Sequence, residues 1–265
     1  MSWLPFPTLG IKCQTLRLNC VFLPPMKCFR SIPALLVLTG IAFADDKPAT
    51  APDATPPPLT EYMGRTIAQT MHWSAAGWLI RHKRDKEEAS IKMLEELRLK
   101  PGKNVCDMGA GNGYHAIPMA ESVAPDGKVF AVDVQPEMIE LLKGRLAGQK
   151  ITNIVPIVGL YHDPKLPEKS CDLILLVDVY HEFSHPVHML AAMKKALKPG
   201  GALVLVEFRS EDDSVPIKPE HKMSKAQINK ELTANGYKLA REFDGLPWQH
   251  MMWFEAAEGT TPVRP

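Results

Sequence analysis

Three glycines and a carboxylate stand where two apolar segments of the chain end, and this combination favours a nucleoside-containing ligand. The first segment runs into Gly109, Gly111 and Gly113. Glycine adopts backbone angles that are closed to other residues, and it leaves no Cβ between the chain and a ligand. The second segment, residues 129–133, ends on Asp133. A carboxylate at such a strand end accepts hydrogen bonds from the two hydroxyls of a ribose, so we predict this role for Asp133.

The glycine spacing and a further carboxylate indicate which nucleoside is bound. Dinucleotide sites read G-x-G-x-x-G and hold a pyrophosphate, whereas these glycines are spaced G-x-G-x-G and Asp107 precedes them by two residues. Asp107 would repel a pyrophosphate but suits a cation. The pattern resembles motif I and the following acidic strand end of class I S-adenosylmethionine-dependent methyltransferases, whose cofactor carries an ammonium and a sulfonium. The resemblance implies that Asp107, the three glycines and Asp133 bind S-adenosylmethionine. The alternative is a tight strand-to-helix turn without a ligand.

The resemblance to these methyltransferases covers roughly residues 60–256 and implies the fold. Apolar runs predict further strands at residues 151–159 and 171–178, and a fifth strand follows a Leu-Lys-Pro-Gly-Gly turn. Helical patterns lie between the strands, at residues 136–146 and 185–197. We therefore predict an α/β fold, with a Rossmann-like, doubly wound, mostly parallel seven-stranded sheet and helices on both faces.

Two shorter motifs indicate a narrower group. The chain is similar to small-molecule methyltransferases of the quinone-biosynthesis type. It shares Asp-Val-Tyr-His-Glu-Phe, residues 178–183, and Leu-Pro-Trp-Gln-His, residues 246–250, with bacterial proteins that often carry leader peptides. The Asp/Asn-Pro-Pro-Tyr signature of amino-methylating enzymes does not occur, which disfavours methylation of nucleic-acid amines. The resemblance implies transfer of a methyl group to a small-molecule acceptor.

The end of the fourth predicted strand carries the candidate catalytic residues, because ligands of open α/β sheets lie beyond the carboxyl ends of the strands. Methyl transfer mainly requires alignment and exclusion of water, and a base matters when the acceptor is a hydroxyl or a protonated amine. His181 titrates near neutrality and is the predicted base, with Asp178 orienting the acceptor or the imidazole. Tyr180 and Glu182 are second choices. The alternative is that Asp178 caps the next turn and His181 only packs.

Two loops are predicted to border the ligands. Similar methyltransferases place an acidic residue against the adenine amine in the loop after the third strand, where this chain has His162 and Asp163. The resemblance therefore implies that Asp163 binds the adenine. Trp248 and His250 either form a wall of the acceptor pocket or belong to a proline turn with a packing tryptophan.

The chain before the glycine motif is predicted to be helical. Residues 62–81 contain candidates for a lid over the cofactor, namely His72, Trp73 and Trp78; the alternative is an amphipathic helix that covers the sheet. The charge-rich run at residues 81–88 is interpreted as a solvated face.

Composition and charge exclude some partners. With 265 residues, 45% of them hydrophobic, the chain suits one domain with extensions. Its formal net charge is +1, and residues 45–265 contain 27 basic and 30 acidic residues. This balance argues against nucleic acid or an anionic membrane surface as the partner. Cys106 and Cys171 are predicted to be unpaired core residues, and no spacing of cysteines and histidines predicts a metal site.

The first 60 residues are predicted to lie outside the fold. Residues 26–44 have a basic start, an apolar run and an Ala-Phe-Ala end, which together predict a Sec-type signal peptide cleaved after Ala44. Its apolar run is too short for a stable membrane anchor. Residues 1–25 are interpreted as the product of a start codon assigned too far upstream. Residues 45–60 are interpreted as a proline-rich linker before the domain at residues 61–256, and residues 257–265 as a tail after it. The alternative for the leader is an ordinary buried or frayed segment.

Three functions remain open at this point. The chain is a methyltransferase, a cofactor-binding protein without catalysis, or a nicotinamide-dependent oxidoreductase, which Asp107 and the glycine spacing disfavour. The leader predicts a periplasmic or secreted protein, or a cytoplasmic one if the leader is not used. Export conflicts with the supply of S-adenosylmethionine, which is made in the cytoplasm.

Overall fold

A computed structural model describes residues 55–257, so the predicted leader, the first part of the linker and the last residues of the tail lie outside the described residues. The described chain begins with an antiparallel hairpin of β1 (Glu61–Tyr62) and β2 (Arg65–Thr66). A 3-10 helix (Trp73–Ile80) and two short helices, α1 (Arg84–Glu88) and α2 (Ser90–Glu96), follow. The prediction of a helix throughout residues 62–81 was therefore wrong, because the turn at Met63 and Gly64 has positive φ and closes a hairpin.

An eight-stranded sheet forms the centre of the domain, in the order β5-β4-β3-β6-β7-β10-β9, with β8 pairing to β7. The strands are β3 (Val105–Met108), β4 (Val129–Asp133), β5 (Ile154–Val158), β6 (Cys171–Val177), β7 (Leu197–Arg209), β8 (Lys222–Met223), β9 (Tyr237–Phe243) and β10 (Gln249–Ala256). Neighbours among β3 to β8 pair in parallel, whereas β10 is antiparallel to β7 and β9. The predicted fold class is confirmed, with the two-residue β8 added to seven strands.

Helices cover both faces of this sheet, as predicted. They are α3 (Ala116–Val123), α4 (Pro136–Leu146), α5 (Pro186–Ala196) and α6 (Lys225–Ala234). Alternate residues of each central strand belong to separate buried clusters, because successive side chains of a strand point to opposite faces. In β6, Ile174 and Leu176 pack with α5 and α6, whereas Leu173 and Leu175 pack with α2, α3 and α4.

The predicted turn before the fifth strand takes a different form in the structure. Helix α5 ends at Ala196, and β7 begins at Leu197 and includes the Pro-Gly-Gly sequence. Gly200 has a φ of +74°, which favours glycine, and the pairing of β6 with β7 shifts register beside it. The turn is thus an irregularity within a longer strand.

Other features of the described chain bear on the predictions about cysteine and membrane. Cys106 and Cys171 are both buried and unpaired. Among residues 55–257, none of the helices combines the length and the apolar character that a bilayer crossing requires.

The order of strands sets the position of a ligand. The chain turns back between β3 and β6, since β4 and β5 lie to one side and β7 to the other. At such a point the loops leave the sheet in opposite directions and open a crevice at the carboxyl ends of the strands.

Candidate functional site

A cavity of about 870 Å³ opens at these carboxyl ends. Its volume lies in the upper part of the roughly 300–1,000 Å³ range that is usual for small-molecule sites. Six of the predicted cofactor-binding and catalytic residues lie on its wall: Gly109, Gly111, Asp133, Asp178, His181 and the second-choice Glu182.

The glycine turn forms the floor of the cavity next to β3. Gly111 has a φ of +52°, and a Cβ there would lie 2.6 Å from the Leu79 side chain of the 3-10 helix. A Cβ on Gly109 would lie 2.3 Å from Val179, in the loop after β6. The glycines are therefore required both by backbone angle and by close packing against the elements that surround the cavity. Gly113 lies off the wall, against Leu142 of α4.

Asp133 fixes the other side of the turn. Its Oδ2 accepts a hydrogen bond from the Gly111 N–H at 2.9 Å, and its Oδ1 accepts one from the Gln135 N–H at 2.9 Å. Each carboxylate oxygen has a second lone pair, so Asp133 can still accept hydrogen bonds from a ribose. Burial raises the pKa of Asp133, and the backbone donors oppose this shift.

Asp107 lies behind the glycine turn and is only 2% exposed. It is not on the cavity wall, and its Oδ2 has no hydrogen-bond partner among the described residues. Burial raises the pKa of Asp107 to about 7, although the Arg84 guanidinium acts in the opposite direction. A buried carboxylate with one unsatisfied oxygen is suited to a nearby cation.

We expect Asp107→Asn to flatten the pH dependence of stability. Because the pKa of folded Asp107 lies above its ordinary value, its contribution is present below that value and is lost as the pH rises through about 7. From pH 6 to pH 8, the wild type should lose on the order of 1 kcal/mol more unfolding free energy than the variant. Urea unfolding at both pH values measures this, with the exposed Asp126→Asn as control. Equal pH dependence of wild type and Asp107→Asn would contradict the expectation.

The charge-rich run at residues 81–88 is only partly a solvated face: His82, Lys83, Asp85 and Lys86 are exposed, but the interpretation was wrong for Arg84 and Glu88. Arg84 and Glu88 are 4% and 3% exposed, form an ion pair of 2.7 Å, and both line the cavity. Arg84 also donates to the Leu79 carbonyl at 2.8 Å and lies 3.2 Å from His115 Nε2. Because the Arg84 guanidinium has these hydrogen-bonding partners, its charge can be buried at a lower cost in free energy.

His181 follows β6, two strands along the sheet from β4 and Asp133, and is held by a carboxylate. Its Nδ1 is 2.6 Å from Glu207 Oε2, and its Nε2 is 3.1 Å from Nδ1 of His221. Glu207, on β7, also accepts the Tyr180 N–H through Oε1 at 2.9 Å. Burial by itself lowers the pKa of His181, but the charge and hydrogen bond of Glu207 outweigh it, so the pKa is raised.

Asp178 follows β6 with a φ of +54°. This left-handed conformation is uncommon outside glycine, although Asp and Asn tolerate it best. Its Oδ2 accepts from the Gln249 side-chain amide at 2.7 Å, whereas its Oδ1 is buried without a partner in the described chain. Burial raises the pKa of Asp178 well above its ordinary value, and the nearby charges of Glu88 and Glu207 add to this.

An extended segment, residues 67–72, crosses the cavity between its two ends; we call it the strap. The Met71 N–H donates to Glu182 Oε1 at 3.2 Å, and the Met71 carbonyl accepts from the Gln135 side chain at 2.9 Å. Gln135 in turn accepts the Trp73 N–H at 2.8 Å. Burial raises the pKa of Glu182 to about 7, with His181 opposing the shift. The strap, rather than a helix, is the element that lies over the ligand space.

The residues predicted to form a lid divide into two groups. His72 and Trp78 line the cavity, whereas Trp73 does not contribute to its wall. Trp78 remains 50% exposed at its edge and stacks under the Arg81 guanidinium, which lies 3.8 Å from the ring centroid.

The structure places other predicted site residues away from the cavity wall. The Tyr180 ring is fully buried and its hydroxyl donates to Glu231 at 2.8 Å, so it faces α6 instead. Asp163 is exposed, and its Oδ1 accepts the Lys165 N–H at 2.8 Å. Trp248 packs near Phe208, and His250 is buried in β10. Their proposed contacts with ligands receive no support from these positions.

Several residues at the cavity were not predicted as site residues: Arg84, Glu88, Gln135, Glu207 and His221. Glu207 could have been predicted from the sequence, since it follows the apolar run Leu-Val-Leu-Val as Asp178 follows Leu-Leu-Val. His221 could not, because it lies 40 residues after His181 and no sequence pattern connects the two.

The family follows from comparison with known proteins. A sequence model described as "Methyltransferase domain" matches residues 99–258, more than half of the chain. The chain belongs to the methyltransferase-domain family. This membership removes the support for a nicotinamide-dependent oxidoreductase.

Curated relatives of this chain have different acceptors in their names. Over 115 residues it is 27% identical to the ubiquinone/menaquinone biosynthesis C-methyltransferase UbiE of Cupriavidus pinatubonensis, covering 43% of this chain and 47% of the relative. Over 113 residues it is 32% identical to the protein-L-isoaspartate O-methyltransferase of Ignicoccus hospitalis, covering 43% and 51%. The chain spans about half the length of these relatives.

Solved structures share the fold of this chain. A SAM-dependent methyltransferase from Aquifex aeolicus aligns with a TM-score of 0.66 at 24% identity, covering 70% of this chain and 98% of that one. A protein from Bordetella parapertussis, described as a possible exported protein, aligns with a TM-score of 0.51 at 18% identity, covering 66% and 68%.

The residues at the cavity fit S-adenosylmethionine. Gly109 and Gly111 line the cavity without a side chain, and Asp133 beside them presents acceptors for the hydroxyls of a ribose. Acidic side chains at and behind the wall suit a cationic cofactor, and two of them, Asp107 and Asp178, have unsatisfied buried oxygens.

Proposed function

We propose that this protein transfers a methyl group from S-adenosylmethionine to a small-molecule acceptor. The observation that carries the proposal is a single cavity whose wall includes Asp133 after β4, the glycine turn after β3, and Asp178 and His181 after β6. A cofactor held by Asp133 and the glycine turn and an acceptor held beside His181 would share this one cavity, as a direct transfer requires.

The cofactor supplies an activated methyl group, and the protein residues align the reacting groups and exclude water. Asp133 and the glycine turn hold the nucleoside part, while the strap excludes water above it. At the other end, His181 is oriented by Glu207. A neutral imidazole in this position accepts a proton from an acceptor hydroxyl or amine.

A small molecule suits this cavity better than a macromolecule. Residues 69–72 of the strap line the cavity, so an acceptor must fit beneath the backbone. Apolar side chains such as Phe183, Met189 and Phe208 also line it, which favours an acceptor with an apolar body. UbiE is named for C-methylation in quinone biosynthesis, which is consistent with an acceptor of this kind. Export remains part of the proposal and rests on residues 26–44.

The test is methyl transfer by the full chain into size-separated extract. The protein is incubated with methyl-labelled S-adenosylmethionine and with low-mass or macromolecular fractions of host-cell extract, and S-adenosylhomocysteine is quantified. We expect label in low-mass products, and much less label with Asp133→Ala when the cofactor concentration is below saturation. Label in protein or nucleic acid would contradict a small acceptor. Cofactor binding without any S-adenosylhomocysteine would instead support a binding protein without catalysis.

A further inference from the structure

Three side chains with metal-binding atoms meet at the His181 end of the cavity. Ligand atoms of His181, Glu182 and His221 all lie within 4.8 Å of one another. All three residues line the cavity. We propose that they bind a divalent transition-metal ion. No spacing of residues in the sequence predicts this site, because His221 reaches it only through the folding of a distant loop.

The first support is the orientation of His181. With Nδ1 bound to Glu207 at 2.6 Å, the ring directs Nε2 toward His221 and the cavity. Histidine ligands of metal ions are usually held in this way, with the far ring nitrogen donating to a carboxylate. Glu207 is itself fixed by the Tyr180 N–H, so the imidazole is held before any ion binds.

The second support is the separation of the two histidines. His181 Nε2 and His221 Nδ1 are 3.1 Å apart, and the ring planes are nearly perpendicular at 88°. Two nitrogens bound to one ion at about 2.0–2.1 Å would be about 2.9 Å apart in octahedral geometry and about 3.4 Å in tetrahedral geometry. The observed separation falls between these values, so the nitrogens need little movement to share an ion.

The third support is the way that other elements hold the remaining ligands. His221 ends a short 3-10 turn directly before β8, and the pairing of β8 with the end of β7 sets its position beside Glu207. Glu182 Oε1 accepts the Met71 N–H from the strap at 3.2 Å, which orients the carboxylate. Each candidate ligand is thus positioned by a contact outside the group.

The fourth support is charge. Four carboxylate residues line the cavity, Glu88, Asp133, Asp178 and Glu182, and of these Glu88 is paired with Arg84. A divalent ion beside Glu182 would offset part of the remaining negative charge, whose burial is otherwise costly.

The ligand set indicates the kind of metal. Two imidazoles with one carboxylate suit zinc and similar transition ions, whereas magnesium and calcium prefer oxygen ligands. Three protein ligands leave a position open to the cavity. The role of that open position rests on the proposed function: an oxygen atom of the methyl acceptor would occupy it. His181 would then be a ligand that positions the acceptor, in place of a proton acceptor.

The metal site is tested with Co²⁺ and Zn²⁺ alone. The full chain, purified without a histidine tag and stripped with a chelator, is titrated with Co²⁺ while visible absorption is recorded, and bound Zn²⁺ is counted by elemental analysis after dialysis. We expect one equivalent per chain. His221→Ala should weaken binding at least about tenfold, and Glu207→Gln about tenfold to a hundredfold through the orientation of His181. The exposed His82→Ala should bind as the wild type does.

Clear outcomes would overturn the inference. If the folded wild type does not bind Co²⁺ stoichiometrically, the proposed metal site is refuted, and no variant is needed to show it. Equal affinity in wild type and His221→Ala refutes the site as well, and His221→Gln repeats the test if the alanine variant fails to fold. Affinity for S-adenosylmethionine is measured on the same protein. If the protein binds S-adenosylmethionine but no metal ion, the metal site is refuted and the proposed function is retained. If it binds the metal ion but not S-adenosylmethionine, the proposed function is refuted and the metal site is retained.

Discussion

Asp133→Ala is expected to weaken the binding of S-adenosylmethionine about tenfold to a hundredfold. The substitution removes charge-assisted hydrogen bonds to the ribose, worth about 1.5–3 kcal/mol. It also frees the Gly111 and Gln135 N–H groups, which Asp133 holds at 2.9 Å in the structure, so the turn itself becomes less ordered. Calorimetric titration of the full chain with S-adenosylmethionine and S-adenosylhomocysteine measures the change.

A matched control is available for this prediction. Asp163 is the other carboxylate predicted to bind the nucleoside, but it is exposed and bonded to its own loop. Asp163→Ala should therefore leave cofactor affinity unchanged. If Asp133→Ala binds as the wild type does, Asp133 does not hold the ribose, and a loss confined to Asp163→Ala would restore the adenine prediction.

His181→Ala is expected to lower turnover on the order of 10²-fold or more, with cofactor affinity kept within about threefold. A positioned base raises the reaction rate about 10²–10⁴-fold. If His181 instead holds a metal ion that binds the acceptor, its loss should lower the rate to a similar extent. Cofactor affinity should persist because the His181 side chain is held by Glu207 and His221, whereas Asp133 bonds to the glycine turn and to Gln135. Single-turnover methyl transfer with an active extract fraction measures the rate, and calorimetry measures affinity.

Companion variants separate the roles at this end of the cavity. Asp178→Asn should also slow turnover while keeping the contact with Gln249. Tyr180→Phe removes only a hydroxyl that bonds to Glu231, so turnover should persist. A chelator should abolish wild-type turnover if His181 holds a metal ion, and should have no effect if it acts as a base. Normal turnover in both His181→Ala and Asp178→Asn would show that the acceptor does not bind after β6.

The sheet and the cofactor end were predictable because both depend on local sequence pattern. Parallel strands bring their carboxyl ends to one edge, so residues that follow apolar runs, such as Asp133 and Asp178, were predicted to meet there. Helix α4 has the predicted bounds, since Pro136 suits its first turn.

The acceptor end was only partly predictable because it depends on contacts between distant segments. Arg84 and Glu88 have the composition of a surface helix, and only the packing of α1 beside the cavity buries them. His221 is placed by the pairing of β8, a strand too short to recognise from sequence. Tyr180 and His181 are adjacent, yet the 3-10 turn directs one toward α6 and the other toward the cavity.

The strap bears on ligand exchange because it is hydrogen-bonded across the cavity. Met71, Trp73, Gln135 and Glu182 share three hydrogen bonds that hold it, and the Ala68 N–H donates a fourth to the His181 carbonyl at 3.0 Å. If each contributes about 1 kcal/mol net, the open form makes up on the order of 0.1% of the molecules. Ligands that associate only with this form would bind about a thousandfold more slowly than to a permanently open cleft. Because one segment is bonded to residues after both β4 and β6, a single opening event would, in the proposed reaction, release the demethylated cofactor and the methylated product together.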